Sequence, residues 1–566
     1  MTSDKNKLIV LLALAFLLRV TGIGFGPYHP DEPLVIYHAL AFGAGDLNPH
    51  MFYFSSLFLY MLFFVDGCFY AMGFVLSYFH RPDDFLTLFV VSPQIFYVLG
   101  RLVSVIFGTL TVWAVYRLAF EYKGRKTALG SALFMAVCFL HVRDSHFATM
   151  DITLTFFITL SLFYLISCLN GPDGKNYWKA VIAAGAASAV KYNGFFLAVP
   201  ITMAYVSGFF IPYWRADRKT ALRTLLRDAL VTAALFFAVF FCLSPFVLLD
   251  LGTARGFVAR LYGINVGFHV SWWNHLQMLR HSLGWALFLL GSAGFFMPWF
   301  SGRKKRALLV VFAVFYYATI TKAGQPYERY VLALIPISLV WAAEFTDMAV
   351  HFLKERTGGR LNGVLTAVLL TALILPKTLY QDYLFLQKNT RDVTRDWIAA
   401  NIPVGSTLVL DDPGECPRLV PAPDQIVDQL GRLNANDPNF DNKQKRLKAL
   451  LNARPYPMPN YHLNYLLEEP DRTGVTMLLS SVPFSPEALS RLGDYYLIAS
   501  ETSIRAHPDF YRALKPSLTL IFSVDPRCEP YLPMSLKSWT YLPIDEALWN
   551  IARPGPLLFV FKSSQS

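Results

Sequence analysis

The residues best able to do chemistry come in short groups. The first is His29-Pro30-Asp31-Glu32, two adjacent carboxylates and an imidazole set among prolines just past the first apolar segment. The second is Arg143-Asp144-Ser145-His146, followed after a short gap by Asp151. Lys191-Tyr192-Asn193 makes a third, and Tyr327-Glu328-Arg329-Tyr330, preceded by Lys322, a fourth; His50 and Arg101 stand alone. Ionisable groups beside hydrocarbon are costly, so their default reading is functional. As a set they suit group transfer from an anionic donor held in a membrane. A carboxylate can take the proton of an acceptor hydroxyl while its oxygen attacks. Arg, Lys and His can grip a phosphate leaving group and stabilise its developing charge. One base and one attack would invert the anomeric centre of a sugar.

Plainer readings stand beside these. Arg101 and Arg143 could snorkel to headgroups. Asp144 and Asp151 could be salt-bridge partners that hold helices together. His269 and His275 could pack with Trp272 and Trp273 at the interface. Lys191 is harder to dismiss. It follows Ala183-Ala184-Gly185-Ala186-Ala187-Ser188-Ala189, a small-residue helix suited to close packing, which delivers its ammonium near a bundle interior.

The elements that must position these groups are membrane helices. Hydrophobic residues make up 54% of the 566 and charged residues 16%. With a mean hydropathy of +0.39, this is the composition of an integral membrane protein. The net charge of +11 sits in short clusters between apolar segments, so topology explains it and nucleic acid is not an expected partner. About eleven spans are expected, near 8–24, 93–120, 128–142, 151–169, 179–194, 195–213, 229–249, 282–300, 307–321, 331–350 and 363–379. The first lacks an A-x-A cleavage site and reads as retained. Basic clusters such as Lys123-Gly124-Arg125-Lys126 and Arg303-Lys304-Lys305-Arg306 fall in alternate loops, which are therefore cytoplasmic, as is the amino terminus. The acid and base groups above then share the extracytoplasmic face. Residues 52–79 are apolar enough to span, but spanning would invert every later loop. They are expected to form a juxtamembrane or re-entrant helix inside a long first external loop, 24–92.

The chain divides into a transmembrane part, 1–379, and an extracytoplasmic soluble part, 380–566. An amphipathic helix over 392–402 opens the second part, and short apolar runs at 406–410, 475–480, 495–498, 518–522 and 557–561 predict an α/β domain. Residues 417–463, rich in Pro and Asn, read as loop with one basic helix at 442–451. Cys416 and Cys528 share this domain and could pair.

His29-Pro30-Asp31-Glu32, Gly45-Asp46-Leu47-Asn48-Pro49-His50, the run from His141 through Arg143, Asp144 and His146 to Asp151, and Lys191-Tyr192-Asn193-Gly194 resemble the GT-C superfamily of membrane glycosyltransferases. The likeness is nearest to the dolichyl-phosphate-mannose protein mannosyltransferases and the aminoarabinose transferase of lipid A. Glu328-Arg329-Tyr330 with Pro336, and Trp397-Ile398 leading to Asn401-Ile402-Pro403-Val404-Gly405, are similar too. The resemblance implies a polyprenyl-phosphate-linked sugar donor, an inverting transfer, and a protein, lipid or glycan acceptor. It implies Asp31 as catalytic base with Glu32 orienting it, and Asp151 as second acid with Asp144 its rival. Where the family has a basic residue after the first-loop acids, this chain has Pro49-His50. The donor phosphate is therefore expected on His50, Arg101, Lys191 and Arg329, with Arg143, His146, Tyr192, Asn193 and Tyr327 binding substrate. The oligosaccharyltransferase branch holds a divalent metal on an Asp-x-Asp motif that 24–92 lacks, so no obligatory metal is expected, though one stays open. Two other classes compete: a secondary transporter or lipid-linked-sugar flippase, and a membrane sensor or scaffold. A transporter would show repeated halves with charges at mid-membrane, and a scaffold would not need the clustered acids and bases.

Overall fold

The structure, a computed structural model, describes residues 2–26, 29–171, 174–265, 272–297, 303–322, 327–356, 363–433, 440–467, 480–528 and 546–564. It divides into two compact units. The first comprises Met1–Ile23, His38–Phe64 and Gly100–Asp382, and the second Gly24–Tyr37, Val65–Leu99 and Tyr383–Ser566. His269 and most of the expected strand at 475–480 lie outside the described residues.

Helices follow one another from the amino terminus: α1 (Thr2–Val20), α2 (Asp31–Ala41), α3 (Leu57–Val75), α4 (Pro82–Val91), α5 (Gln94–Lys123), α6 (Arg125–Val137), α7 (Phe139–Asp144), α8 (Met150–Asn170) and α9 (Gly174–Val190). A 3₁₀ turn, Tyr192–Leu197, then leads to α10 (Ala198–Tyr205), α11 (Ile211–Ala216), α12 (Arg218–Leu243), α13 (Phe246–Leu249), α14 (Leu251–Asn265), α15 (Trp272–Phe296) and α16 (Arg303–Ile320). A second 3₁₀ turn, Glu328–Leu334, precedes α17 (Ile335–Arg356) and α18 (Gly363–Leu386). Among the described residues six helical segments are long and apolar enough to cross a membrane: Leu57–Val75, Gln94–Lys123, Met150–Asn170, Tyr192–Phe210, Arg218–Leu243 and Glu328–Arg356. The chain is thus a multi-pass membrane protein with a carboxyl-terminal α/β domain. Of residues 52–79, expected as a juxtamembrane or re-entrant helix, Leu57–Val75 forms α3, one of the six by length and composition.

In the first unit, small residues set the packing. A Cβ at Gly291 of α15 would lie 3.0 Å from the Ser338 carbonyl oxygen of α17, and one at Gly294 would overlap the Trp341 carbonyl oxygen. The two helices therefore meet backbone to backbone, as small residues allow. Arg306, read from sequence as a cytoplasmic loop charge, is buried at 2% exposure. Its Nη2 reaches Glu344 Oε2 at 3.1 Å and the Gly294 carbonyl at 2.9 Å, and Tyr122 donates its hydroxyl to the same Glu344 oxygen at 3.0 Å. A buried charge needs such partners to offset its desolvation.

In the second unit a seven-stranded sheet runs β2 (Val420–Pro421), β3 (Asn460–Leu466), β1 (Thr407–Leu410), β5 (Tyr496–Ser500), β7 (Leu558–Ser563), β6 (Leu518–Val524), with β4 (Ser481–Val482) beside β3. β1 pairs in parallel with both β3 and β5, while β7 is antiparallel to β5 and β6. The expected opening helix forms as Thr390–Asn401, capped by the Asn389 side chain accepting from the Arg391 N–H. It buries Ile398 in the core and stacks Trp397 on Phe522, centroids 4.6 Å apart. Within the expected loop at 417–463, the described residues hold the expected basic helix, as Phe440–Leu451, and also β2, a helix Pro423–Arg432 and most of β3.

At the carboxyl end of β1, Asp411 ties the sheet together. Its Oδ2 accepts from the Ser500 N–H at 2.8 Å and the Tyr511 hydroxyl at 2.7 Å, and its Oδ1 from the Cys416 thiol at 3.3 Å. Cys416 is thus a buried free thiol and Cys528 an exposed one, so the pairing left open above is absent. Burial pushes the Asp411 carboxyl up to about 7, against the pull of Tyr511, Ser500 and Cys416. A carboxyl raised in the folded state favours folding most below its ordinary value of about 4, and that contribution is lost as pH rises towards 7. Asp411→Asn, neutral at every pH, is expected to flatten this loss. Pulse proteolysis across pH 4–8, following cleavage within 383–566, measures it. An unchanged slope would assign the pH dependence to another group.

Candidate active site

In the first unit three chain segments converge on Asp151. The residue lies in the first turn of α8, where the helix dipole favours a carboxylate. Lys191 sits where α9 ends: its N–H still bonds to the Ala187 carbonyl, but its own backbone is extended (φ −155°). Its Nζ lies 2.7 Å from Asp151 Oδ1. From the 3₁₀ turn Glu328–Leu334, Arg329 Nε stands 3.8 Å from Asp151 Oδ2. Two rings flank these cations, Tyr330 5.5 Å from the Lys191 ammonium and Tyr327 4.3 Å from the Arg329 guanidinium. Side-chain exposures of 4%, 16% and 15% for Asp151, Lys191 and Arg329 make this a largely desolvated cluster, in which charge interactions are strong. Lys191, Arg329, Tyr327 and Asp151, read separately from the sequence, are here neighbours.

Close backbone approach holds Lys191 in place. A Cβ at Gly194 would overlap the Ser188 nitrogen and the Ala187 carbonyl carbon, and the Gly194 N–H bonds back to the Lys191 carbonyl. Tyr192, next in the turn, donates its hydroxyl to the Phe52 carbonyl at 3.2 Å. Asn193 bonds the buried Tyr316 hydroxyl. Gly194→Ala is expected to lower stability by about 1–3 kcal/mol through overpacking. Comparing thermal unfolding of the variant and parent in detergent checks this; an unchanged midpoint would mean the turn yields without cost.

Other residues expected at the site are held by other partners. Asp144 pairs with its neighbour Arg143, Nε to Oδ1 2.8 Å, both buried, whereas the cations Lys191 and Arg329 converge on Asp151. Arg101 is fully buried and donates to the Ile23 carbonyl at 3.0 Å. His146 places both ring nitrogens 2.9 Å from carbonyl oxygens, of Val142 and Thr21, with Asp382 at 3.8 Å. His50 is 2.7 Å from Asp46, and Asp250 lies 4.0 Å from its other nitrogen. The pairing with His50 holds the exposed Asp46 carboxyl below its usual range. His50 thus sits in an acidic surface loop, a setting that suits a phosphate poorly.

Arg19 is the residue the sequence reading passed over. It is fully buried inside α1, donating to the carbonyls of Ala15, Met135 and Ala136 and lying 2.9 Å from His141 Nδ1. Its signal was a lone arginine in an apolar run, which is costly enough to flag.

In the second unit, Asp31 and Glu32 form the first turn of α2. The Asp31 N–H bonds to His29 Nδ1 at 3.1 Å and the Glu32 N–H to the His29 carbonyl at 3.1 Å, so His29 fixes the start of the helix. Glu32 is wholly buried, while Asp31 is half-buried and so the more accessible acid. Among the described residues no group of three or more His, Cys, Asp or Glu side chains is placed to hold a metal ion.

Residues 85–247 match the family model described as dolichyl-phosphate-mannose-protein mannosyltransferase. No curated protein matches the chain in sequence. Among solved structures it is similar to ArnT from Cupriavidus metallidurans bound to undecaprenyl phosphate, at 14% identity and a TM-score of 0.51, over 99% of this chain and 98% of that one. A weaker likeness is to the Archaeoglobus fulgidus oligosaccharyltransferase complex with zinc and sulfate, at 14% identity and a TM-score of 0.47, over 90% and 69%. At such identity the likeness to ArnT is one of fold. The family match and that fold agree with the resemblance to GT-C glycosyltransferases carried by the sequence motifs.

Proposed function

We propose that this chain is a membrane glycosyltransferase that moves a sugar from a polyprenyl-phosphate donor to an acceptor hydroxyl, with inversion at the anomeric carbon. The observation that carries the reading is the desolvated convergence of Lys191 and Arg329 on Asp151. An ammonium has three donors, and the one carboxylate contact of Lys191 leaves others to meet a phosphate. The Arg329 guanidinium suits the same anion, since its fork matches phosphate oxygens. The undecaprenyl phosphate in the ArnT structure is a ligand of this chemistry.

In the proposed reaction the Asp31 carboxylate accepts the proton of the acceptor hydroxyl. The freed oxygen pair forms the new bond to the anomeric carbon. The bond from that carbon to the phosphate oxygen breaks, and its electron pair leaves with the phosphate, which Lys191 and Arg329 stabilise. A phosphate leaves as an anion without a general acid, so one carboxylate suffices for the proton. Asp151 holds the two cations in register. The active face and the carboxyl-terminal domain are read as extracytoplasmic, following the charge of the loops.

The test has two parts. Mass spectrometry of surface glycans, glycolipids and glycoproteins, from cells with and without the chain, should show one glycoform lost. The purified chain, given the matching polyprenyl-phosphate sugar and that acceptor, should then release polyprenyl phosphate and form a product of opposite anomeric configuration. Retained configuration would remove the single-displacement mechanism, and absence of any changed glycoform would remove the function.

A further inference from the structure

α8 carries a second polar locality at the end away from Asp151. A cavity of about 310 Å³ lies between the carboxyl-terminal halves of α5 and α8 and the first turns of α9. Ser167, on its wall, is sixteen residues along α8 from Asp151, or about 24 Å at helical rise. Its hydroxyl is buried and makes no hydrogen bond among the described residues. Two cations line the same space, Arg117 from α5 and Lys179 from α9. Neither forms an ion pair among the described residues; each rests on aromatic faces instead. The Arg117 guanidinium lies 5.0 Å from the Phe163 ring and 6.0 Å from that of Trp113, and the Lys179 ammonium 5.6 Å from Tyr164.

We infer that this cavity is a binding site for the headgroup of an anionic glycerophospholipid of the surrounding bilayer. The place suits it. Lys123, Arg125, Lys126 and Lys175 all fall at this end of the helices, where aromatic side chains and basic loops mark a membrane interface facing anionic lipid. The chemistry suits it as well. Arg117 and Lys179 supply donors for a phosphodiester, with the Ser167 hydroxyl beside them. Glu121 and Asn176 also line the cavity, and they favour a hydroxylated headgroup over a second acid. The Glu121 carboxylate is already fixed by Asn170 Nδ2 at 2.6 Å, and its carbonyl by Lys305 Nζ at 2.8 Å, so its charge is steadied rather than aimed at the cations. With two cations and one acid at the wall, the lining carries a net single positive charge, matched by a headgroup of single negative charge.

The test is native mass spectrometry of the delipidated full chain, offered equal amounts of phosphatidylglycerol, phosphatidylethanolamine and phosphatidylcholine. Phosphatidylglycerol adducts should dominate, and Arg117→Gln or Lys179→Gln should each reduce them roughly fivefold, the weight of one basic residue at a lipid surface. Lys175→Gln removes a charge from the same end but outside the cavity, and should leave the adducts unchanged. The proposal is overturned if phosphatidylethanolamine binds as well as phosphatidylglycerol, or if Lys175→Gln costs as much as Lys179→Gln. Displacement of the lipid by millimolar inorganic phosphate would also overturn it, by showing a site for free anions. All three variants are at half-buried or exposed positions, and unfolding midpoints equal to the parent's are required of each before its adducts are compared.

Discussion

Asp31→Asn is expected to lower sugar transfer by roughly 10²–10⁴-fold, the weight of a positioned general base, while membrane insertion and yield stay unchanged. The substitution keeps the shape of the side chain and its place in the first turn of α2, where Asn is also a good helix starter. What it removes is the ability to take a proton. Glu32→Gln is the informative companion. Glu32 is wholly buried where Asp31 is half-buried, so its change should act on folding or on the orientation of Asp31. A Glu32→Gln variant that folds normally should therefore lose less activity than Asp31→Asn. If Asp31→Asn transfers sugar at the parental rate, Asp31 is not the base, and Asp151 becomes the residue to replace by Asn.

Much of this architecture could be read along the chain, and the failures share a cause. β1, β5, β6 and β7 were legible because each is a short apolar run set off by turn residues. β3 was not. Its sequence, Asn-Tyr-His-Leu-Asn-Tyr-Leu, carries two asparagines and a histidine, and residues of that kind read as loop. Its place is set from outside, by parallel pairing with β1 and by Gln425, which bonds both the N–H and the carbonyl of Leu463. The same applies to the candidate site. That Lys191 meets Asp151 and Arg329 needs the α8–α9 packing and a distant 3₁₀ turn, which no spacing encodes. Asp151 was the better match and Asp144 its close rival as sequence, and their partners now distinguish them, Arg143 for Asp144 and Lys191 with Arg329 for Asp151. His50 stands where the chain departs from the family pattern, and its acidic partners, Asp46 and the distant Asp250, could not be read from its place in the sequence.

Within the cluster, Asp151→Ala and Lys191→Met should fail in different ways, and the contrast tests the roles assigned to them. Removing Asp151 leaves the Lys191 ammonium in a largely desolvated place without its carboxylate, and stranding one partner of a buried ion pair costs about 3–5 kcal/mol. Removing Lys191 is milder, because Asp151 keeps Arg329 at 3.8 Å and Met fills much of the same volume. Thermal unfolding in detergent should therefore rank Asp151→Ala as the less stable variant. Transfer kinetics should bring out the role of Lys191. If Lys191 grips the leaving phosphate, Lys191→Met should lower kcat/KM for the donor by roughly 10²-fold, as removal of one charge-stabilising donor does. Lys191→Arg should recover part of that loss, because it restores the charge with a different fork. Equal kcat/KM for Lys191→Met and the parent chain would confine Lys191 to holding the helices, and the phosphate would then have to be sought at Arg329 alone.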